Sequence, residues 1–372
     1  MVKLEALNAK FGDALLLSYK DGKKQRLWII DGGPAGTWKP YLKPRLDQLR
    51  GAKAGLVADV AMLSHVDDDH VNGMLAMTKD MAGGRLQTLD VRRFWHNSFT
   101  DLVGSEASVE SGMATLAGAV ASAKAATAAF EPTSQIEGKK LDGRETAVLA
   151  SINQGRELRD YLEQLQLSGN DPFGGLLSSK SGKKKIDGAQ VTVVGPIKSR
   201  LDKFRQKWKD AVGKPAALVA LFSDKLDESP TNLSSIVMLV EVNGSKILLT
   251  GDARGDDIVQ GFKEAGLAGK LPMKLDILKM PHHGSWRNIT EKFLKSFPAR
   301  HYIFSADGKH GNPDPPTIKA LVDVRGKDTY TMHFTNKVSG LPALLTKLSK
   351  GKNFDYVFRD PSQLSIVVEL DD

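Results

Sequence analysis

The segment from residue 64 to residue 70 constrains the fold of this chain more than any other part of the sequence. It reads Ser-His-Val-Asp-Asp-Asp-His and follows directly on an apolar run at residues 57–63. Such a run predicts a buried strand that ends at the cluster. Carboxylates and imidazoles packed this densely repel or desolvate one another unless a cation lies between them, and His nitrogen and Asp oxygen are common ligands of divalent metals. The cluster therefore predicts a metal site at the end of a buried strand.

The composition restricts the chemistry of that site. The chain contains no cysteine, so disulfides and thiolate ligands are excluded and any metal must be bound by nitrogen and oxygen. With 372 residues, of which 41% are hydrophobic, the chain can bury the core of one large domain with insertions or of two domains. The sequence therefore predicts a folded protein with room for a buried metal site.

Charge and hydropathy bear on partners and location. The net charge of +8 favours acidic partners such as nucleic acid, although a lysine-rich solvated surface explains it equally well. The N-terminus lacks a signal-peptide pattern, and no apolar stretch in the sequence is long enough to span a bilayer. We therefore expect no membrane insertion and, by default, a cytoplasmic protein.

Hydrophobic periodicity predicts strands early and late in the chain, with helices between them. The predicted strands are residues 2–7, 14–19, 26–30, 57–63, 190–194, 234–242, 246–250, 276–280, 301–305, 330–334 and 364–370. The predicted helices are residues 40–49, a helix beginning near residue 70, and residues 105–130, 145–167 and 199–212. These patterns predict one domain over residues 1–346, interrupted by a helical insertion at about 100–185 and followed by a C-terminal extension, 347–372, that adds an edge strand.

Two basic stretches have competing interpretations. The insertion is expected to close with a loop at residues 168–185 that carries Lys183, Lys184 and Lys185. In the helix at 199–212, lysines alternate with aromatic residues as in a nucleic-acid surface. However, Leu201, Phe204, Trp208 and Ala211 fall on one helical face, so core packing beneath a solvated lysine face is the favoured interpretation.

Two later strand ends carry further candidate ligands. The strand at 246–250 ends in Gly251 and Asp252, where glycine permits a close backbone approach beside a carboxylate. The strand at 276–280 leads into Pro281, His282 and His283. Adjacent histidine side chains point in different directions, so we expect one to bind metal and the other to contact substrate or support a ligand.

In this order, the motifs resemble those of the metallo-β-lactamase fold, and most of all those of the hydrolase domain of bacterial competence DNA-uptake proteins. The resemblance covers residues 1–95 and 186–345. The motifs that carry it are Phe11-Gly12-Asp13-Ala14, Ile30-Asp31-Gly32-Gly33, Ser64-His65-Val66-Asp67-Asp68-Asp69-His70, Asn232-Leu233-Ser234-Ser235, Leu249-Thr250-Gly251-Asp252-Ala253, His282-His283-Gly284-Ser285 and Gly311-Asn312-Pro313-Asp314-Pro315. The last is a degenerate form of a Gly-His-Pro-His-Pro turn.

The resemblance implies an α/β protein with a four-layer αββα sandwich, and a site for one or two divalent metal ions at one edge of the sheets. Six side chains would then bind metal. They are His65 and Asp67 for the first ion, Asp69, His70 and His283 for the second, and Asp252 as a bridge between the two.

The sequence departs from the family pattern in three places. Asp67 stands where many members have histidine, which shifts the site toward oxygen ligation and makes Mn²⁺ or Mg²⁺ plausible beside Zn²⁺. No histidine precedes the Gly-Asp strand, so Asn232, His96 or a water would have to take that place. His310 is shifted from the late turn, which leaves its role open.

The expected function is that of a metal-dependent hydrolase acting on phosphodiester bonds in nucleic acid or nucleotides. Asp69 would orient the attacking water, and His282, Ser285, Arg287 or Lys309 would stabilise developing negative charge. Two alternatives remain open. The same fold hosts ester, lactone and amide hydrolysis, and a metal-stabilised DNA-binding or regulatory module would need little turnover. The oligomeric state is not predicted.

Overall fold

A computed structural model describes residues 1–128, 144–167, 169–214, 217–218, 232 and 234–370. The strands are β1 (Val2–Leu7), β2 (Leu15–Asp21), β3 (Lys24–Ile30), β4 (Leu56–Ala58), β5 (Val60–Met62), β6 (Leu89–Val91), β7 (Phe94–Trp95), β8 (Lys183–Ile186), β9 (Ala189–Gly195), β10 (Val237–Val242), β11 (Ser245–Leu249), β12 (Leu275–Lys279), β13 (Ala299–Phe304), β14 (Tyr330–Phe334), β15 (Phe354–Phe358) and β16 (Ser365–Leu370).

The helices are α1 (Lys43–Arg50), α2 (Asp68–Ala82), α3 (Phe99–Val103), α4 (Glu106–Ala128), α5 (Arg144–Gln164), α6 (Lys198–Ala211), α7 (Gly255–Glu264), α8 (Glu291–Ser296), α9 (Pro315–Arg325) and α10 (Leu341–Leu348). Short helical turns lie at Trp38–Leu42, Ala268–Lys270, Pro281–Gly284 and Trp286–Asn288.

The strands form two large sheets and one small one. The first sheet has the order β16-β1-β2-β3-β5-β7, and the second has the order β15-β14-β13-β12-β11-β10-β9-β8. β3, β5 and β7 run parallel to one another, as do β11 to β15. β4 and β6 pair separately. Because parallel neighbours end at the same edge, each sheet collects several strand ends on one side.

Three apolar layers define the order of helices and sheets. Leu17 and Trp28 of the first sheet pack with Ile247 and Ile277 of the second in a core between the sheets. The outer face of the first sheet packs against α1, α2 and α5, and the outer face of the second packs against α7 to α10. Side chains alternate accordingly, since Leu248 faces the helices and its neighbours face the other sheet. The predicted four-layer αββα architecture is confirmed.

The helical insertion shares a small core with α6. Phe99, Leu116, Ile152 and Trp208 pack together between α3, α4, α5 and α6. α5 also joins the main fold, because Leu158 belongs to the core beneath the first sheet. The insertion is therefore held against the sandwich. Residues 129–143 and 168 of the predicted insertion lie outside the described residues.

The apolar face of α6 packs in the core, as the favoured interpretation predicted. Leu201, Phe204, Trp208 and Ala211 are buried in the described structure, as the periodicity predicted. The Trp208 indole N–H donates to Ser108 Oγ at 3.0 Å. Trp208 is therefore not available to stack on a nucleic-acid base.

The expectation of a loop through Lys183, Lys184 and Lys185 is wrong. These residues form the edge strand β8, which pairs antiparallel with β9. All three side chains are exposed, so no apolar alternation marks the strand. Lysines at a sheet edge also discourage pairing with other chains.

The predicted strand at 57–63 is in fact two strands in different sheets. β4 pairs with β6, whereas β5 pairs with β3 and β7. The chain changes sheet at Asp59, whose buried carboxylate accepts hydrogen bonds from the Leu27 amide, Arg26 and Arg92 at 3.1, 2.8 and 2.8 Å. These polar contacts require Asp59 to leave the strand's regular alternation.

The C-terminal segment borders both sheets. β15 pairs with β14 at one end of the second sheet, and β16 pairs with β1 at one end of the first. The domain boundary at residue 346 stays a prediction. Within the part of the chain that the structure describes, no helix is both long enough and apolar enough to cross a membrane.

Candidate metal centre

The candidate site lies where the two sheets present the ends of parallel strands. Asp31 follows β3, Ser64 follows β5, Asp252 follows β11, and the two histidines at 282 and 283 follow β12. The Asp31 amide donates to the carbonyl of Met62 at 2.8 Å, which joins two of these strand ends directly. The strand order thus brings residues more than 200 positions apart in the sequence to one edge.

Four of these side chains form one compact group. Ligand atoms of Asp69, His70, Asp252 and His283 all lie within 4.8 Å of one another. Asp252 Oδ1 is 3.3 Å from His70 Nε2, and Asp252 Oδ2 is 3.5 Å from His283 Nε2. Asp69 Oδ2 is 3.2 Å from His283 Nε2. Asp252 therefore lies between the two imidazoles, and these four residues are the set predicted for the second metal together with its bridge.

Unsatisfied buried atoms show that this group suits a metal. His70 Nε2, His283 Nε2 and Asp252 Oδ1 are buried and have no hydrogen-bond partner among the described residues. Buried polar atoms are normally paired, because leaving one unpaired costs about 1–3 kcal/mol. Two imidazole nitrogens and carboxylate oxygens are the donors expected of a Zn²⁺ or Mn²⁺ site. The residues present therefore fit a divalent ion.

The pKa shifts within the group show that its carboxylates favour a positive charge at the two histidines. Burial alone would lower the pKa of His70, but the surrounding carboxylates, Asp252 foremost, raise it well above its ordinary value. Burial also opposes protonation of His283, yet Asp252 and Asp13 raise its pKa well above the ordinary value. Against burial, the charge of His70 lowers the pKa of Asp69 to about 2. A divalent ion would take the place of the imidazole protons, so metal binding should release protons.

Asp31 orients His70 from behind. Its Oδ2 lies 2.9 Å from His70 Nδ1, and its two oxygens also accept from the Ser64 amide at 2.6 Å and the Ser64 hydroxyl at 2.8 Å. A carboxylate accepts only, so we assign the proton of the neutral imidazole to Nδ1. His70 Nε2 then carries a free lone pair toward the metal site.

Asp13 lies behind His283, at a longer distance than Asp31 from His70 and without a hydrogen bond among the described residues. Asp13 Oδ1 lies 3.4 Å from His283 Nδ1, and the carboxylate also forms an ion pair with Lys279. Asp13 and Lys279 are each 1% exposed, so this is a buried pair. Burial raises the pKa of Asp13, but Lys279 and His283 outweigh it and the net direction is downward. His283 therefore lies between the Asp13 carboxylate and Asp252.

Close backbone contacts keep the two halves of the site together. A Cβ on Gly12 would lie 1.9 Å from the carbonyl oxygen of Asp69, and one on Gly32 would lie 2.1 Å from the amide of Met74 in α2. No larger residue fits at either place without moving the backbone. The turns before Asp13 and after Asp31 thus pack directly against the metal loop and its helix.

The turn that carries the paired histidines is strained. His282 has φ 45° and ψ 51°, and His283 has φ 55° and ψ 17°. Left-handed conformations of this kind cost on the order of 1–3 kcal/mol for non-glycine residues and are concentrated at functional sites. His282 Nδ1 lies 2.9 Å from Asn288 Oδ1, and His282 Nε2 lies 3.5 Å from Asp252 Oδ2. Both histidines therefore face Asp252.

His65 and Asp67, the pair assigned to the first metal, lie beside this group without joining it. His65 Nε2 is 3.5 Å from Asp67 Oδ2, and the His65 ring centroid is 4.2 Å from that of His70. His65 Nε2 is also buried and has no hydrogen-bond partner among the described residues. However, His65 and Asp67 belong to no set of three candidate ligands in the same part of the chain. The first metal site therefore stays a prediction.

The remaining predicted residues lie outside the ligand group. His96 is buried with its ring 5.8 Å from that of Phe94, and burial lowers its pKa to about 4. Asn232 is buried, and its carbonyl accepts from the Ser235 amide at 3.1 Å. Ser285 and Arg287 follow His283 in the chain, and the His310 ring lies 5.2 Å from that of Phe11. Arg287 and His310 are exposed. Among the described residues His96 belongs to no set of three candidate ligands, and the assignments of His96 and Asn232 stay predictions.

Sequence reasoning did not select Asp13, Asp31 or Lys279 as site residues. Asp13 and Asp31 appeared only as members of matching motifs. Lys279 carried a visible signal, since a lysine at the end of the apolar strand Leu275–Lys279 is costly to bury without a partner. Its partner Asp13 is 266 positions away, which local patterns cannot show.

Comparisons with known proteins add little to this geometry. No family model matches the sequence, and no curated protein matches it. Among solved structures, the chain is similar to the metallo-beta-lactamase fold protein YhfI from Bacillus subtilis, with a TM-score of 0.40 and 9% identity over 99% of each chain. So slight a likeness carries no conclusion about activity. The fold stands on the strand order and layers, and the kinship to competence proteins stays a prediction.

Proposed function

We propose that this protein is a metal-dependent hydrolase that cleaves phosphodiester bonds in nucleic acid or nucleotides. The observation that carries the proposal is the group of Asp69, His70, Asp252 and His283, in which His70 Nε2, His283 Nε2 and Asp252 Oδ1 are buried without a hydrogen-bond partner among the described residues. A bound divalent ion would lower the pKa of a water to near neutrality and polarise a phosphoryl oxygen. The carboxylate-rich ligand set is suited to Mn²⁺ as well as Zn²⁺.

Asp69 would orient the attacking water. Its side chain is 22% exposed, whereas those of His70, Asp252 and His283 are at most 3% exposed. Asp69 is therefore the member of the group that water can reach most readily. Its low pKa keeps it ionised at neutral pH, so its carboxylate can orient the water by accepting a hydrogen bond.

His282 would act on the leaving group. Its side chain is 20% exposed, and Asn288 Oδ1 lies 2.9 Å from its Nδ1. If Nδ1–H donates a hydrogen bond to Asn288 Oδ1, Nε2 is the nitrogen that faces Asp252, at 3.5 Å from its Oδ2. Protonated at Nε2, the ring would donate to the leaving oxygen and stabilise the charge that develops there.

The test combines metal analysis with a substrate screen. Purified protein should hold one or two divalent ions, and the double variant Asp252→Ala with His283→Ala should hold none. The wild type with Mn²⁺ or Zn²⁺ should hydrolyse bis-p-nitrophenyl phosphate or single-stranded DNA, and the double variant should not. Asp59→Asn is the matched control, because Asp59 is equally buried but lies outside the ligand group.

Other outcomes would point to the other candidate functions. Turnover of nitrocefin or a lactone, with no action on either phosphodiester, would favour a small-molecule amide or ester hydrolase. Silence on every substrate, together with DNA binding that weakens steeply with salt, would favour a binding module. A wild-type protein without bound metal would refute all three versions of the site.

A further inference from the structure

Trp286 differs from every other tryptophan of the chain. It is 40% exposed, whereas Trp28, Trp38, Trp95 and Trp208 are at most 4% exposed. A large aromatic surface left in water three residues from a candidate metal ligand is available to bind a ligand. Trp286 has no place in the proposed hydrolytic chemistry, so its exposure calls for another role.

The backbone on both sides of Trp286 is tied to the metal centre. Trp286 follows His283 by three residues, so their Cα atoms are at most about 11 Å apart. The Trp286 amide donates to Asp314 Oδ2 at 2.8 Å. Two residues later, Asn288 contacts the His282 ring at 2.9 Å and donates to the Asp252 carbonyl at 3.1 Å. The indole is therefore carried by a loop that is fixed relative to the ligands.

A cation lies on a neighbouring loop, at Lys309. Lys309 Nζ sits 3.6 Å above the ring of Phe11, and the His310 ring meets Phe11 edge-on at 5.2 Å. Phe11 precedes Gly12, which packs against the Asp69 carbonyl. The loop of Lys309 also reaches the loop of Trp286, because the Asp314 amide donates to the Gly284 carbonyl at 3.2 Å. Two loops in contact with each other thus carry an exposed aromatic residue, Trp286, and an exposed lysine, Lys309.

We propose that Trp286 is a stacking platform for a base of the substrate, and that Lys309 contacts a phosphate next to the bond that is cleaved. The inference rests on the proposed phosphodiesterase function and names its substrate class, an unpaired base attached to phosphate. Stacking of a base on an aromatic side chain changes affinity by about 5-fold to 150-fold. A mononucleotide and a single strand share this chemistry, so the experiment must distinguish them.

The first arm measures binding through intrinsic fluorescence. Because the other four tryptophans are buried, quenching of the metal-loaded protein by thymidine 5′-monophosphate or by oligothymidylate reports chiefly on Trp286. Trp286→Phe should keep most of the affinity, measured by competition, and Trp286→Ala should lose about 5-fold to 150-fold. Val367→Ala, an exposed apolar change on β16, should lose nothing. Equal binding by wild type and Trp286→Ala would overturn the platform.

The second arm compares two substrates that share one leaving group. Thymidine 5′-(p-nitrophenyl phosphate) and methyl p-nitrophenyl phosphate differ only in the nucleoside. Trp286→Ala should raise KM for the first by the same factor, leave the second unchanged, and spare kcat for both. An equal loss on both substrates would refute the platform. If the wild type cleaves neither substrate, the proposed function fails, while the fluorescence arm still decides whether Trp286 binds bases.

Lys309 is tested with a matched lysine. Lys309→Ala should weaken oligothymidylate binding and flatten its salt dependence, whereas Lys184→Ala, on the edge strand β8, should do neither. An effect on oligothymidylate but not on the mononucleotide would assign the site to single strands, and equal effects would assign it to mononucleotides. No effect of Lys309→Ala on either ligand would remove the phosphate contact from the proposal. Thermal unfolding should confirm that each variant folds.

Discussion

Replacing Asp31 by asparagine should disable His70 as a ligand without removing any atom of the site. The Asp31 carboxylate accepts from His70 Nδ1 at 2.9 Å, which leaves Nε2 free to bind metal. In Asp31→Asn, the amide group that faces His70 would be a donor when the carbonyl keeps its bond to the Ser64 amide. The imidazole proton would then move to Nε2 and block the ligand position.

The expected loss of metal affinity follows from this change of tautomer. Losing a supporting carboxylate of a ligating histidine typically costs about 10-fold to 100-fold in metal affinity, or about 1.4–2.8 kcal/mol. In the absence of metal, the free energy of unfolding should also fall, by about 1–3 kcal/mol, because buried donors at Ser64 and His70 lose a charged acceptor. Competition with a calibrated chelator measures the first quantity, and urea unfolding in excess chelator measures the second.

A matched variant separates the two effects. Asp59 is as buried as Asp31 and also accepts three hydrogen bonds, but its donors are Leu27, Arg26 and Arg92. Asp59→Asn should therefore lower stability by a similar amount and leave metal affinity unchanged. If Asp31→Asn binds metal as tightly as the wild type, Asp31 does not set the His70 tautomer and the reasoning is wrong.

Three further predictions follow from buried groups and from the metal. Burial lowers the pKa of His96 from 6.5 to about 4, so the unfolded chain binds the extra proton first and stability falls between pH 6.5 and 4, by about 3 kcal/mol. Urea unfolding of His96→Leu across this range should show a flatter profile; a parallel profile would contradict the assignment. Lys279→Met should destabilise the protein by about 3–5 kcal/mol by leaving Asp13 buried without its cation, and adding Asp13→Asn should restore much of the loss in the same assay. Removing the metal should lower the free energy of unfolding by about 2.7 kcal/mol relative to protein in free metal at 100 times the Kd. A melting temperature that does not change when chelator is added would contradict a metal site in the folded state.

Much of the fold could be predicted from the sequence because its signals are local. β1 and β14 have the predicted bounds, and α6 buries the predicted face. The strands that the sequence did not predict are informative. β8 is built from exposed lysines and carries no apolar alternation, and β7 is only two residues long. A strand defined by its pairing partner alone leaves no mark in hydrophobic periodicity.

The candidate site likewise has a part that the sequence predicted and a part that it did not. The loops at residues 64–70 and 281–283 stood out because each follows a predicted strand and carries several metal-binding side chains. The choice of Asp252 and of His283 as ligands came from the family resemblance, because neither a Gly-Asp turn nor a pair of adjacent histidines shows by itself which side chain binds metal. Whether those loops meet, and which of their atoms face one another, depended on the order of strands in two sheets. The break at Asp59 and the pairing of Asp13 with Lys279 likewise arise from contacts between distant segments. Sequence alone therefore determined which residues could bind a metal, and tertiary structure decided which of them come within 4.8 Å of one another, since local periodicity carries no record of long-range packing.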